Sequence, residues 1–288
     1  MSILEVKDLC FTYARNSAIS KAAIKNINFS AERGEIIGVI GHTGSGKSTL
    51  MQMLNGLLKP DNGIVYFNGQ NIWENPKEIY KFRFNIGLVF QYPEYQLFEE
   101  TVYKDIAFGP SNMGITDNEI DKRVKDAAYS LGLTEEHLYK SPFDLSGGEK
   151  RRAAVAGILA MKPSVLVLDE PTAGLDPEGR ELLLKTIIDY KNKENAAVIV
   201  VSHSMEDMAK IADKLLVLND GEIMFFDTVA NVFNNYEDLL DVGLDIPLIT
   251  RIILKLKEKG IDVSNNIYTV EDAVSEILNI AKGGTLND

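Results

Sequence analysis

Short apolar runs recur along this chain, each closed by polar residues or glycine, and the stretches between them carry helical spacing. Glu35–Ile40, Ile86–Phe90, Val165–Leu168 and Val198–Val201 are too short for helices and rich in leucine or β-branched residues. Apolar runs of this length predict strands buried on both faces, as in a parallel sheet. Lys214–Leu218 and Ile223–Phe226 flank Asn219-Asp220-Gly221-Glu222, and an Asp-Gly pair between two such runs predicts a hairpin. Nearer the N-terminus, Leu4–Leu9 and Ile27–Ala31 read as antiparallel strand material. Strands alternating with helical stretches define an α/β chain.

Between Tyr92 and Asp144 helix formers dominate, and Ile120, Val124, Ala127, Ala128 and Leu131 fall on one face of a helix over Asp117–Leu131. This predicts a helical subdomain, about 92–160, inserted into an α/β unit spanning 1–232. A long surface excursion is the competing reading, and long structureless loops are uncommon. The remainder, 233–288, reads as a helical extension. Asp245-Ile246-Pro247 signals a helix start with proline in the first turn. Ile249, Ile252, Ile253 and Leu256 line one face, and Gly260 ends the run. Thr269-Val270-Glu271-Asp272 resembles a capping box, followed by Val270, Ala273, Val274, Ile277, Leu278 and Ala281 at helical spacing. Two amphipathic helices in a short tail cannot bury both apolar faces on each other alone. They pack on the parent domain or on a second copy.

Composition narrows the function classes. A net charge of -12 argues against a nucleic-acid backbone as main partner, which needs clustered Lys and Arg. The single cysteine, Cys10, permits no internal disulfide and fits a reducing compartment. The N-terminus lacks the basic start and apolar core of a signal peptide. The most apolar runs fall far short of the ~20 residues that cross a bilayer. A membrane is therefore expected to be reached only through a partner.

The chemistry begins at Gly41-His42-Thr43-Gly44-Ser45-Gly46-Lys47-Ser48-Thr49, which follows a predicted strand and opens a predicted helix. In that context a glycine-rich loop turns backbone N–H groups toward phosphate oxygens, and the helix N-terminus adds partial positive charge. Lys47 reaches the β- and γ-phosphates, the Ser48 hydroxyl ligates Mg²⁺, and Thr49 stands at the α-phosphate. The ring of His42 occupies a variable position of the motif and receives no role. Asp169 and Glu170 close the apolar run Val165–Leu168. Asp169 there holds Mg²⁺, and Glu170 orients or deprotonates the attacking water. His203 ends another buried strand, where it hydrogen-bonds the γ-phosphate and steadies Glu170. Gln91 ends a third, with an amide suited to Mg²⁺ or water and a place at the start of the helical insertion.

Leu145-Ser146-Gly147-Gly148-Glu149 completes the set. With it the chain resembles the nucleotide-binding subunits of ABC transporters over nearly all of residues 1–230. The resemblance implies a P-loop NTPase core with an antiparallel β subdomain and an inserted helical subdomain. It implies ATP and Mg²⁺ as ligands. It also implies that Ser146, Gly147 and Gly148 of one subunit cap the γ-phosphate held by the other. Tyr13 matches the aromatic that stacks on adenine, and Asp176, in Ala173-Gly174-Leu175-Asp176, matches the loop that links the two sites. Phe90–Phe98, Thr101-Val102 and Asp105–Pro110 are similar to the ATPases of energy-coupling-factor importers of vitamins and transition-metal ions, members named for cobalt uptake included. That narrower resemblance implies a second ATPase, identical or paralogous, a transmembrane coupling protein, a substrate-binding membrane subunit and a place at the cytoplasmic face of the cell membrane. It also implies that the extension contributes to dimer contacts. The ATPase of a conventional ABC importer or exporter remains the alternative. DNA-repair relatives would need a long coiled coil before the signature, translation relatives two heads in one chain, and an adenylate-kinase-like phosphotransferase would not need the signature.

Overall fold

The computed structural model describes residues 2–14, 20–261, 263–264 and 267–283, the last four of them without their side chains. The chain opens on two long strands, β1 (Ser2–Tyr13) and β2 (Lys21–Glu32), followed by β3 (Ile36–Ile40), the glycine-rich loop and α1 (Lys47–Leu54). Next come β4 (Asn62–Phe67), β5 (Gln70–Asn71), α2 (Ile79–Asn85) and β6 (Ile86–Val89). Four helices then follow without a strand: α3 (Val102–Asn112), α4 (Asp117–Ser130), the single turn α5 (Glu135–Leu138) and α6 (Gly147–Ala160). The chain returns through β7 (Val165–Asp169), α7 (Pro177–Glu194), β8 (Ala197–Val201), α8 (Met205–Ile211) and the hairpin β9 (Lys214–Asn219) and β10 (Glu222–Thr228). It ends in α9 (Val229–Asn234), α10 (Tyr236–Asp241), α11 (Leu248–Glu258) and α12 (Val270–Gly283).

Two sheets result. One is antiparallel, in the order β2-β1-β4-β5. The other has the order β10-β9-β3-β8-β7-β6, with parallel pairing throughout except for the β9–β10 hairpin. The continuous apolar strands of this second sheet bury alternate residues on opposite faces, as the two-residue period of a strand requires. Ile37, Val39, Val165, Val167, Ile199 and Val201 pack toward the antiparallel sheet and α1. Ile36, Ile40, Leu166, Leu168, Val198 and Val200 pack toward the helices on the other side. Apart from the half-exposed edge strand β10, the sheet is covered on both faces, which explains the absence of polar alternation in the sequence of its buried strands.

The hairpin turn is Asp220-Gly221, between paired Asn219 and Glu222. Both turn residues have positive φ, 47° and 85°, the combination that matches the twist of the flanking strands. Two helix ends follow from local backbone chemistry. The first helix stops at Leu54 because Gly56 turns left-handed behind it, with φ 74°. Pro247 caps α11 from outside rather than standing in its first turn. The Thr269 hydroxyl accepts the Asp272 N–H and donates to the Asp272 carboxylate, a variation on the expected capping box.

The tail packs in part on the body. Phe233, Leu239, Leu244 and Ile246 join the main core, so the first part of the tail packs on the body. Beyond it, Ile253, Val263, Ile267 and Ala273 form a small separate cluster. Tyr268 packs against Phe233 with tilted rings, centroids 5.5 Å apart, and ties this cluster back. Leu248, Val270, Val274, Ile277 and Leu278 stay exposed, and the side chain of Ala281 lies outside the described residues.

Candidate active site

Strands of a parallel sheet present their C-terminal ends to one edge, and ligands bind there. Here β3 ends in the glycine-rich loop, β7 in Asp169, β8 leads to His203 and β6 leads to Gln91. These ends line a cleft of about 360 Å³ together with Tyr13, Thr43, Gly44, Gly46, Lys47, Ser48, Thr49 and Glu170. Residues as far apart in sequence as Tyr13 and His203 meet in it. Lys21 and Ala23 of β2 also line it, and nothing in the sequence pattern singled them out.

The loop is shaped by close approach. A Cβ on Gly41 would lie 2.4 Å from the Leu218 carbonyl, and one on Gly46, whose φ is 109°, would lie 2.5 Å from the Ala23 carbonyl. Lys47 is buried and donates to the carbonyls of Gly41 at 2.7 Å and His42 at 3.0 Å. An ammonium has three N–H donors, so one remains for a phosphate. Burial pushes the Lys47 pKa down, against the pull of Glu170 and Asp169. Not every residue of the motif faces the cleft. Gly41 packs beneath it and the Ser45 side chain is fully buried. The ring of His42 turns away to Asn219 at 3.1 Å and Asp220 at 3.6 Å, so any part these three play in holding phosphate falls to their main chain. Tyr13 is half-exposed, edge-on to Phe11 at 4.9 Å, with its hydroxyl 3.2 Å from Thr49 Oγ1.

Asp169 and Glu170 are both buried. Burial raises the Asp169 pKa, and a hydrogen bond with Ser48, then the charges of Lys47 and His203, oppose that rise. Burial likewise raises the Glu170 pKa, with His203 as the main opposing influence. His203 Nε2 stands 3.2 Å from Glu170 Oε1 without the alignment of a hydrogen bond, which leaves that buried oxygen without a hydrogen-bonded partner. Glu170 Oε2 accepts the His203 N–H at 3.4 Å. A buried carboxylate with one oxygen uncommitted is equipped to take a proton from water. Ser48, Gln91 and Asp169 supply only oxygen donors or a neutral amide, the hard set that suits Mg²⁺. Among the described residues no cluster of three His, Cys, Asp or Glu could hold a metal instead.

Besides Lys21 and Ala23, a third residue beside this site went unrecognised in the sequence. Arg151 of α6 is buried, and its guanidinium donates to the Pro171 carbonyl at 2.9 Å, the Glu170 carbonyl at 2.6 Å and the Gln91 carbonyl at 2.8 Å. Glu94 lies 3.8 Å from it. Glu170 has a left-handed backbone, φ 50°, which is unusual for a residue with a side chain. Its amide donates to Val201 and its carbonyl accepts from Arg151, so the strained turn is clamped from both sides.

Ser146, Gly147 and Gly148 do not join this cleft within the chain. Ser146 caps α6 in a reciprocal box with Glu149. Asp176 caps α7, accepting the Gly179 N–H at 2.7 Å.

A family model described as ABC transporter matches residues 24–173. The energy-coupling factor transporter ATP-binding protein EcfA2 of Clostridioides difficile is 50% identical over 285 residues, which cover 98% of this chain and 99% of the relative. Its namesake from Caldanaerobacter subterraneus is 49% identical over 97% of this chain and 98% of the relative. Among solved structures, cbiO1 of Clostridium perfringens, described as part of the ABC transporter complex cbiONQ, superposes with a TM-score of 0.74 at 37% identity, covering 88% of this chain and 98% of its own. A dimeric post-hydrolysis state of the ATP-binding cassette MJ0796, bound to ADP and Pi, gives 0.72 at 27% identity, covering 78% of this chain and 98% of that one. The cleft, the signature and these full-length matches together make the chain a member of the ABC transporter family, among the ATP-binding proteins of energy-coupling factor transporters.

Proposed function

We propose that the chain is the ATP-hydrolysing subunit that energises an energy-coupling-factor importer, and that it works by closing on a second ATPase head. The observation that carries the closing step is at Gly147 and Gly148. Neither has a positive φ, and a Cβ on Gly147 would meet nothing within 4 Å. Glycine in a helix is less favourable than alanine by up to about 1 kcal/mol, so two of them in the first turn of α6 have no internal justification. They leave the main-chain amides of a helix N-terminus open to close approach from outside, as an anion on an opposing head requires.

In this reading residues 1–232 form the nucleotide-binding unit, with the helical subdomain over about 92–160 and the extension from 233. Lys47 and the amides of Gly44 to Thr49 hold the phosphates, and Tyr13 stacks on the adenine. Mg²⁺, held by Ser48, Asp169 and Gln91, supplies neutralisation of charge building on the phosphate oxygens. Glu170 takes the proton of the attacking water, and His203 steadies both Glu170 and the γ-phosphate oxygens. Ser146, Gly147 and Gly148 reach the γ-phosphate of the other head, with Asp176 at the seam. Loss of that phosphate opens the seam, and Gln91 passes the movement to the helical subdomain and on to a transmembrane coupling protein.

No helix among the described residues is long and apolar enough to cross a membrane, which fits a peripheral subunit carried on the cytoplasmic face by its partners. Those partners are a second ATPase, identical or paralogous, the coupling protein and a substrate-binding membrane subunit. The cargo is a micronutrient such as a vitamin or a transition-metal ion, cobalt among them. Co-purification of the full chain from membranes, with its integral partners identified by mass spectrometry, tests this. One shared coupling protein with a small substrate-binding membrane protein is expected. A conventional pair of permeases overturns the reading.

A further inference from the structure

The serine of the signature is held by more than its own helix. Glu149 Oε2 accepts the Ser146 N–H at 2.7 Å, and Ser146 Oγ accepts the Glu149 N–H at 3.3 Å. The Ser146 N–H is therefore held by the Glu149 carboxylate and its hydroxyl by the Glu149 main chain. A glutamate at this position has three rotatable bonds, and its second oxygen is usually left to water. Here that oxygen, Oε1, lies 3.3 Å from Nε2 of His137, on the separate turn α5.

The ring of His137 is itself fixed. Its Nδ1 accepts the Thr134 N–H at 3.0 Å, and the Thr134 hydroxyl lies 2.7 Å away. A neutral imidazole that accepts at one nitrogen carries its proton on the other. Nε2 is thus the donor and Glu149 Oε1 the acceptor. The Glu149 carboxyl is held below the ordinary glutamate range, first by the Ser146 N–H and with a smaller contribution from His137, so it is ionised at neutral pH. A hydrogen bond to an ionised group is stronger than one between neutral partners. The side chains of His137 and Glu149 are only 21% and 28% exposed, which limits competition from water.

The bond from Nε2 contributes nothing to α5, whose cap uses Nδ1 alone. It joins α5 to α6, and its far end is the signature serine. We infer that His137 is a positioning residue: through Glu149 it sets the direction in which Ser146 meets the phosphate of an opposing head. This rests on the closed-seam reading proposed above.

Two substitutions separate positioning from capping. H137N keeps an acceptor near Nδ1 for Thr134 but is too short to reach Glu149. H137Q places an amide N–H near Nε2 and reaches it. Both are made in the full chain carrying E170Q, assembled with its partner ATPase subunit. The ATP concentration for half-maximal ATP-dependent dimerisation is measured by light scattering, alongside ATP affinity of the separate subunit and its Tm. Loss of one charge-assisted hydrogen bond predicts about a tenfold rise for H137N, with subunit ATP affinity unchanged and Tm lowered by no more than a few degrees. H137Q should return to within about threefold of the parent. Added to E149A, H137N should have no further effect, since its route to Ser146 is already gone.

A parent-like H137N, a loss that H137Q does not restore, a loss matched by falling ATP affinity of the separate subunit, or an additive effect in E149A each overturns the positioning role. Failure of the E170Q parent itself to dimerise overturns the closed seam, and the role of His137 with it.

Discussion

At Glu170 two influences on one proton pull in opposite directions. Burial disfavours the carboxylate, and His203 favours it. The folded-state pKa lies above the unfolded one, so ionisation of Glu170 destabilises the fold as pH rises through that pKa. E170Q should therefore raise Tm at neutral pH, and the gain should shrink as the pH is lowered through the Glu170 pKa. Thermal melts across pH check this, and a gain that grows toward acid contradicts it. With Glu170 in its proposed role as base, the same balance sets the acid limb of the pH–rate profile, because the base must be ionised to act. H203A removes the main influence holding the pKa down, so the limb should move to higher pH. A limb that stays in place, with only its height reduced, detaches His203 from Glu170. The local sequence declared these residues well. Asp169-Glu170 after four apolar residues, and His203 after a buried strand, could each be read from their neighbours. Lys21 could not, because it enters the cleft from β2, on a different sheet.

At the scale of elements, α6 is the part whose meaning changed most. Its sequence carries the signature, whose serine caps the helix. It did not announce that Arg151, one turn into the helix, reaches the carbonyls of Gln91 and Glu170, 60 and 19 residues away in sequence. Contacts at such separation leave no trace in periodicity or spacing, and an arginine beside Lys150 and Arg152 reads as one more surface cation. The fork makes α6 a rigid strut between the signature at its N-terminus and the base. Removing a buried, multiply bonded guanidinium leaves carbonyls and Glu94 without their partner, so R151A should lose about 2–4 kcal/mol of stability. R151K keeps the charge but not the planar fork, so it should recover part of that stability and little of the turnover. Chemical denaturation beside steady-state ATPase assays separates the two, and full activity in R151K contradicts the strut. G147A makes the converse point. Alanine is the better helix former and meets open space, so the single subunit should be as stable or more so, by up to about 1 kcal/mol. ATP turnover should nevertheless fall, and unchanged turnover would mean that nothing approaches that face.

For the whole molecule, the α/β class and the buried strands were legible because each such strand reads as a short, nearly unbroken apolar run, whereas the order of the strands in the sheet was not. The tail was legible only in part. Its amphipathic spacing allowed packing on the body or on a second copy, and the structure satisfies one face only. Phe233, Leu239, Leu244 and Ile246 bury into the main core, while Leu248, Val270, Val274, Ile277 and Leu278 remain exposed beside a groove lined by Leu175, Ile249 and Ile252. A second copy or paralogous subunit covering that face would hold two heads together while the nucleotide seam opens. V274E and I277E, on the outer face of α12, should then leave the fold of each subunit intact and weaken nucleotide-independent association.

The central claim is that hydrolysis occurs only where two heads share a phosphate. E170Q tests it most directly, since it keeps every contact to ATP and removes the base. Analytical ultracentrifugation of E170Q with its partner subunit at saturating Mg·ATP should show a stable dimer with little hydrolysis, returning to the parent's distribution when ATP is replaced by ADP. An E170Q protein that stays monomeric under Mg·ATP and hydrolyses at the parent's rate would contradict the account at its centre.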